Sequence, residues 1–394
     1  MQLFGTCLSR HVYLPTAVLL SCLSLASSAV AGPREQARRI HDRLVGIPPS
    51  ATVLDSMQAK VEAGDAIGAA MEAMENPEFF NTTVRDLATP WTNREFSVYA
   101  DLNDSTATVI GMVRDDVPFD QILYEDIVYV GTTSATPVPY DHGDNEHYLD
   151  LQRNDVDLSD AANLMRQQQS ALPGSAVGPQ ETAGIMTTRG FSEAFLIAGT
   201  NRAPVRFATV NFMCMDMEEF RDVTAWPDRI RQDVTRSPGG DSSLFLNDCL
   251  ACHAGLDGLA GGFAYYDFDE AAQRMTYTDG QVHPKFLREA GTFPYGYVTL
   301  GDSWINYWRT GPNEFVGWNG PGSGQGAKSL GMELAQTRQF SECRVRQVFR
   351  QVCYRDPNGT ADIQALEDIA NAFETSNRSM KRVYAEAAAH CMGE

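Results

Sequence analysis

Two thiols and an imidazole lie within five residues of one another in the stretch NDCLACHAGLDGLAGGFAYYDFDE, Asn247–Glu270, of a chain with only eight cysteines and seven histidines. At those frequencies a Cys-x-x-Cys-His arises by chance in roughly 3 of 1000 sequences of this length, so the spacing of Cys249, Cys252 and His253 carries information. Four chemistries use such a set. A structural zinc ion needs a second ligand pair, and the chain has no other Cys-x-x-Cys and no His-x-x-x-His. A thioredoxin-like dithiol needs strands and helices alternating around it, whereas the glycines after His253 predict a loop. A plain disulfide leaves the adjacent histidine unexplained. Covalent haem c accounts for all three residues: each thiol adds across a haem vinyl group, and His253 coordinates the iron from the proximal side.

Haem c is attached outside the cytoplasm, so this chemistry demands export. The chain opens MQLFGTCLSRHVYLPTAVLLSCLSLASSAVAGPRE: Arg10, an apolar run from Val12 to Ala26, and small residues ending in Ala29-Val30-Ala31. These features predict a secretory signal peptide over residues 1–31, cleaved after Ala31, and a periplasmic product. Pro15 and Ser21 interrupt the run, which is too short to span a bilayer. The alternative is a lipoprotein, because Leu19-Leu20-Ser21-Cys22 resembles a lipidation box; membrane association is expected only through a lipid on Cys22. A net charge of -20 argues against nucleic acid as a partner and favours a basic redox partner, although an acidic surface also simply keeps an exported protein soluble.

The elements that must position the motif read as mainly helical. Beyond Ala31 the chain is long enough for about two domains. The SPGGDSS stretch, Ser237–Ser243, divides a helical N-terminal domain of unassigned role, 32–236, from a loop-rich haem domain, 237–394. PREQARRIHDRL and SATVLDSMQAKVEAGDAIGAAMEAMEN carry apolar residues at helical spacing, with Ser50 and Asp65 as caps. STATVIGMVRDDVPFDQILYEDIVYVG predicts a helix and a short strand. The acidic DHGDNEHYLDLQRNDVDLSD lacks the calcium-loop pattern and reads as a solvated loop. RAPVRFATVNFMCMDMEEF reads as one helix in which Met213, Met215 and Met217 are packing residues. Three helices close the chain, at Ser329–Arg355, Thr360–Thr375 and Arg378–Cys391.

Around the motif, CLACHAGLDGLAGGFAYYDFDEAAQRMTYTDG resembles the haem-binding region of the planctomycete-type cytochrome c proteins. Asp257, Tyr266 with Asp267, Arg274, and Asp279 with Gly280 stand where that family has its Asp-Pro, aromatic-Asp, Arg and Asp-Gly positions. Gly258 replaces the usual proline, and two extra glycines precede Phe263. The resemblance extends more weakly to AGIMTTRGF, GTNRAPVRF and LAQTRQFSECRVRQVFRQV, and it implies haem c and export without implying a substrate.

A covalently held haem predicts electron transfer. The alternatives are a haem oxidase or peroxidase with an open distal side, and a surface or assembly protein whose haem is structural. For the sixth iron ligand the candidates are Met332, expected at a helix start after a glycine-rich loop, then Met275, His283, His142 and His147, or a vacant position. Cys7 and Cys22 leave with the expected signal peptide, so four cysteines are left over. Cys343 and Cys353 lie ten residues apart on one expected helix, about 15 Å, too far for a bond. Three antiparallel closing helices then bring Cys391 to Cys353 and leave Cys214 for Cys343; four buried free thiols are the alternative.

Overall fold

The computed structural model describes residues 31–196, 201–231, 247, 249–287 and 296–393. The expected signal peptide apart from Ala31, the lipidation box at Cys22 and the expected linker Ser237–Ser243 lie outside these residues. The chain is mainly helical: α1 Pro33–Val45, α2 Ala51–Glu62, α3 Ala66–Ala73, α4 Asp104–Arg114, α5 Glu146–Arg153, α6 Arg189–Phe195, α7 Arg202–Met213, α8 Leu250–Ala260, α9 Gly326–Ala335, α10 Arg338–Cys353, α11 Gly359–Thr375 and α12 Met380–His390. Among the described residues three antiparallel two-stranded ribbons are threaded between the helices: β1 Val128–Gly131 with β2 Leu164–Gln167, β3 Tyr266–Asp269 with β4 Arg274–Tyr277, and β5 Ser303–Ile305 with β6 Ser323–Gln325. Among the described residues no helix is long and apolar enough to cross a membrane.

Local chemistry sets the helix ends. Ser50 and Asp65 cap α2 and α3, their side chains accepting the backbone N–H of Val53 and Gly68. The expected helix over Ser329–Arg355 is two helices, because the Thr337 hydroxyl accepts the N–H of Phe340 at 3.0 Å and starts α10 afresh. The stretch read as a solvated loop carries α5: the Asp144 carboxylate accepts the Glu146 N–H, and His147, Tyr148 and Leu151 form a buried face that leaves the acidic residues outside. Helix α7 stops at Met213, where Cys214 turns the chain with a left-handed φ of 53°.

Packing runs across the expected domain boundary. The closing helices α10 and α12 pack on α1 and α3, and one apolar core extends from Ala37 to Ala388, so residues 32–236 do not hold a core separate from 237–394. Two disulfides pin this arrangement. Cys214 at the end of α7 bonds Cys343 within α10, with α-carbons 5.3 Å apart, and Cys353 at the end of α10 bonds Cys391 just past α12, at 5.6 Å. Beside the first, Arg344 is fully buried between the rings of Trp91, Phe212 and Phe340, 4.6, 5.1 and 5.4 Å from their centroids.

His147 is a structural residue rather than an iron ligand. Its Nδ1 donates to the Val138 carbonyl at 2.7 Å and its Nε2 accepts the Gly131 N–H at 2.8 Å, so both ring nitrogens are used by the neutral imidazole. Burial pushes its pKa down, outweighing the Val138 bond and nearby Asp150. The unfolded chain therefore binds the extra proton first: stability from this group is present above about pH 6.5 and is lost as pH falls through the folded value. Urea midpoints are expected to drop between pH 7 and pH 5, with a slope of up to about 1.4 kcal/mol per pH unit from this histidine, and His147→Gln to flatten the profile while lowering stability at pH 7. An unchanged slope in the variant would assign the acid sensitivity to other groups.

Candidate haem attachment site

The Cys-x-x-Cys-His sequence does not precede a glycine-rich loop; it opens a helix. Cys249 caps α8, and Cys252 and His253 come within its first turns. Positions three and four apart share one helix face, so the two thiols and the imidazole lie together. Glycines continue the helix because its other face is crowded. A Cβ on Gly255 would stand 2.1 Å from the Trp308 indole, one on Gly258 2.7 Å from the Ile305 carbonyl, and one on Gly261 2.1 Å from the Ser303 carbonyl. The segment from Ser303 to Trp308 can lie against α8 only because these side chains are missing, and Trp308 in turn stacks on Phe220 at 4.5 Å.

Both thiols are unbonded to each other and half-buried. The Cys252 thiol donates to the Met217 carbonyl at 3.4 Å, and the Asp222 N–H donates to the Ala251 carbonyl at 2.8 Å, which ties the chain after α7 to the first turn of α8. Burial pushes the Cys252 pKa up against the pull of Arg221, the opposite of the lowered value that an active redox dithiol requires.

His253 is held from behind. Its Nδ1 lies 3.1 Å from Oδ1 of Asp257, one turn further along α8, and the Asp257 side chain is wholly buried. Arg202 grips that carboxylate with two bonds, Nε to Oδ1 at 2.5 Å and an Nη to Oδ2 at 2.9 Å, and the Arg231 backbone N–H adds a third at 3.1 Å. Burial alone would raise the Asp257 pKa. The Arg202 guanidinium and its hydrogen bonds, with the bond from His253, instead hold it well below the usual carboxylate range. Asn201 completes the frame, donating to the Ala260 carbonyl at the end of α8 and accepting from the Arg231 guanidinium.

These residues fit a covalent haem. Two free thiols one turn apart would take the vinyl groups, and an imidazole whose Nδ1 is committed to a carboxylate would offer Nε2 as the ligand, the usual arrangement of a metal-bound histidine. Among the described residues no group of three or more His, Cys, Asp or Glu side chains is gathered for a metal ion.

The sixth-ligand candidates are scattered. Met332 lies in the second turn of α9 rather than at a helix start, and α9 packs on Gly261–Phe263, just past the end of α8, with Leu330 against Gly262, nine residues beyond His253. Met275 is a buried strand residue opposite Phe268. The His283 ring pairs with Asp267 at 3.0 Å, and the His283 backbone N–H donates to the Ala264 carbonyl, again beyond the far end of α8. His142 lies against Tyr140, 3.2 Å from its hydroxyl. Met213, Met215 and Met217 are buried in the core, as packing residues.

Arg202, Asn201 and Arg231 are the residues that sequence reasoning did not single out as part of the site. The four-residue step from His253 to Asp257 is visible in the sequence once α8 is known to be a helix, but nothing local marks Arg202 as its partner. Comparison with models of protein families, with curated proteins and with solved structures yields no match to this chain.

Proposed function

We propose that the chain is an exported c-type cytochrome that carries one haem c on Cys249 and Cys252, with His253 as the proximal ligand, and transfers electrons in the periplasm. The observation that carries this reading is the pairing of two unbonded thiols with an imidazole whose Nδ1 is engaged by a buried carboxylate, all on one face of α8. Bound haem supplies one-electron chemistry through its iron. The protein's own part is to hold the ring by two covalent links, orient His253 and shield the proximal side.

Two further features support export: the N-terminal sequence through Ala31, and the two disulfides, which suit an oxidising compartment. The likeness of the motif region to the planctomycete-type cytochromes agrees with haem attachment. The net charge of -20 suits a basic redox partner.

A second reading, a haem oxidase or peroxidase with an open distal side, is favoured by the fate of the axial candidates. His147 has both nitrogens occupied, and the helix that carries Met332 packs just past the far end of α8.

Export with the haem-maturation machinery is expected to give protein whose haem survives acid-acetone extraction, with most of it lost in Cys252→Ala. Haem-free protein of normal stability that carries zinc would overturn the proposal. Rapid carbon monoxide binding to the reduced wild type supports the open-site reading; a methionine-to-iron band in the oxidised spectrum, lost in Met332→Ala, supports a closed electron carrier.

A further inference from the structure

We propose that Asp257, clamped by Arg202, is the positioning residue that fixes the tautomer and donor strength of His253 and thereby biases the haem toward its ferric state. The inference rests on the haem reading and adds to it the direction in which the protein tunes the iron.

A wholly buried carboxylate on a helix is costly unless every lone pair is met. At Asp257 three are met by N–H groups, which only donate: the two of Arg202 and the Arg231 backbone N–H. An ionised carboxylate only accepts, so the His253 Nδ1 beside Oδ1 is the donor of that contact. The neutral imidazole then has its proton on Nδ1 and its lone pair on Nε2. The setting is rigid, because Arg202 is the first residue of α7 and Asn201 just before it reaches the Ala260 carbonyl, so the start of α7 holds both the middle and the end of α8. A planar guanidinium gripping both carboxylate oxygens leaves little freedom to rotate.

The electronic consequence has two opposing parts. A carboxylate accepting the Nδ1 proton makes the imidazole a stronger donor and stabilises ferric iron. Arg202 drains charge from that carboxylate and adds a cation of its own, only 12 % exposed, which moderates the effect. Removing one or the other should therefore move the iron in opposite directions, a pattern that loss of structure alone does not produce.

The test uses the full chain exported with haem maturation, reading the midpoint potential. Asp257→Asn is expected to shift the ferric–ferrous equilibrium at least tenfold toward ferrous, about 59 mV upward for one electron. Arg202→Gln is expected to shift it downward, and Asp257→Glu to return it toward the wild-type value. Shifts of the same sign in Asp257→Asn and Arg202→Gln, or none while covalent haem is retained, would overturn the proposal. A measurement on unmodified protein stands beside the variants in case they do not fold. Nitrogen-15 histidine NMR of the haem-free full chain in mildly alkaline buffer should show His253 protonated on Nδ1, and an Nε2-protonated ring would refute the lock. A wild-type chain that never acquires haem refutes the cytochrome reading instead, and the tautomer measurement still decides the Asp257 contact.

Discussion

Replacing Cys214 and Cys343 together by alanine is expected to cost about 4 to 5 kcal/mol, more than the loss of the other cross-link. The bond closes a loop of 129 residues, and the chain-entropy cost recovered by the unfolded state grows with the logarithm of that length. The shorter loop closed by Cys353 and Cys391, 38 residues, should give about 4 kcal/mol by the same relation. Because native domains are stable by only about 5–15 kcal/mol, loss of the first bond takes a large share. Cys214 and Cys343 connect the end of α7 to α10, and α7 also supplies the Arg202 that grips Asp257, so the reduced protein should lose order at Cys249–His253 as well. Urea unfolding of the double variant against oxidised wild type reads the difference. A loss below about 2 kcal/mol would show that the packing of α7 on α10, and not the cross-link, keeps them together.

The second large effect is at Asp257. Asp257→Ala is expected to destabilise the chain by about 3–5 kcal/mol, since it removes the buried carboxylate that takes two bonds from the Arg202 guanidinium and one from the Arg231 N–H. The cost should be measurable in protein without haem, because all three donors belong to the chain itself. Asp257→Asn keeps the size and one acceptor oxygen, so it should cost less. Thermal or urea unfolding of haem-free wild type and both variants separates these expectations. If Asp257→Ala costs under about 1 kcal/mol, water has replaced the carboxylate and the clamp on His253 is weaker than its geometry indicates.

Features that depend on neighbours along the chain were legible in the order of residues. Cys249, Cys252 and His253 share a turn because their spacing matches the helical period, and Ser50 and Asp65 cap helices because their side chains reach N–H groups three residues on. The cysteine pairs were also within reach, since ten residues of helix separate Cys343 from Cys353 too widely for a bond and only the return of two helices was needed to seat Cys391. The glycines after His253 misled because the same residue that loosens a loop also permits a close approach, and only the Trp308 ring lying where a Gly255 Cβ would stand distinguishes the two. The acidic stretch at α5 misled for a related reason, its few buried residues being outnumbered by the carboxylates on the outer face. Packing in three dimensions set the rest. It spent both nitrogens of His147 on backbone groups, set the helix that carries Met332 against Gly261–Phe263, joined 32–236 and 237–394 in one core, and brought Arg202 across 55 residues of chain to Asp257. A buried charge has to find its partner in space, because the cost of leaving it unpaired does not depend on how far away in the chain that partner lies.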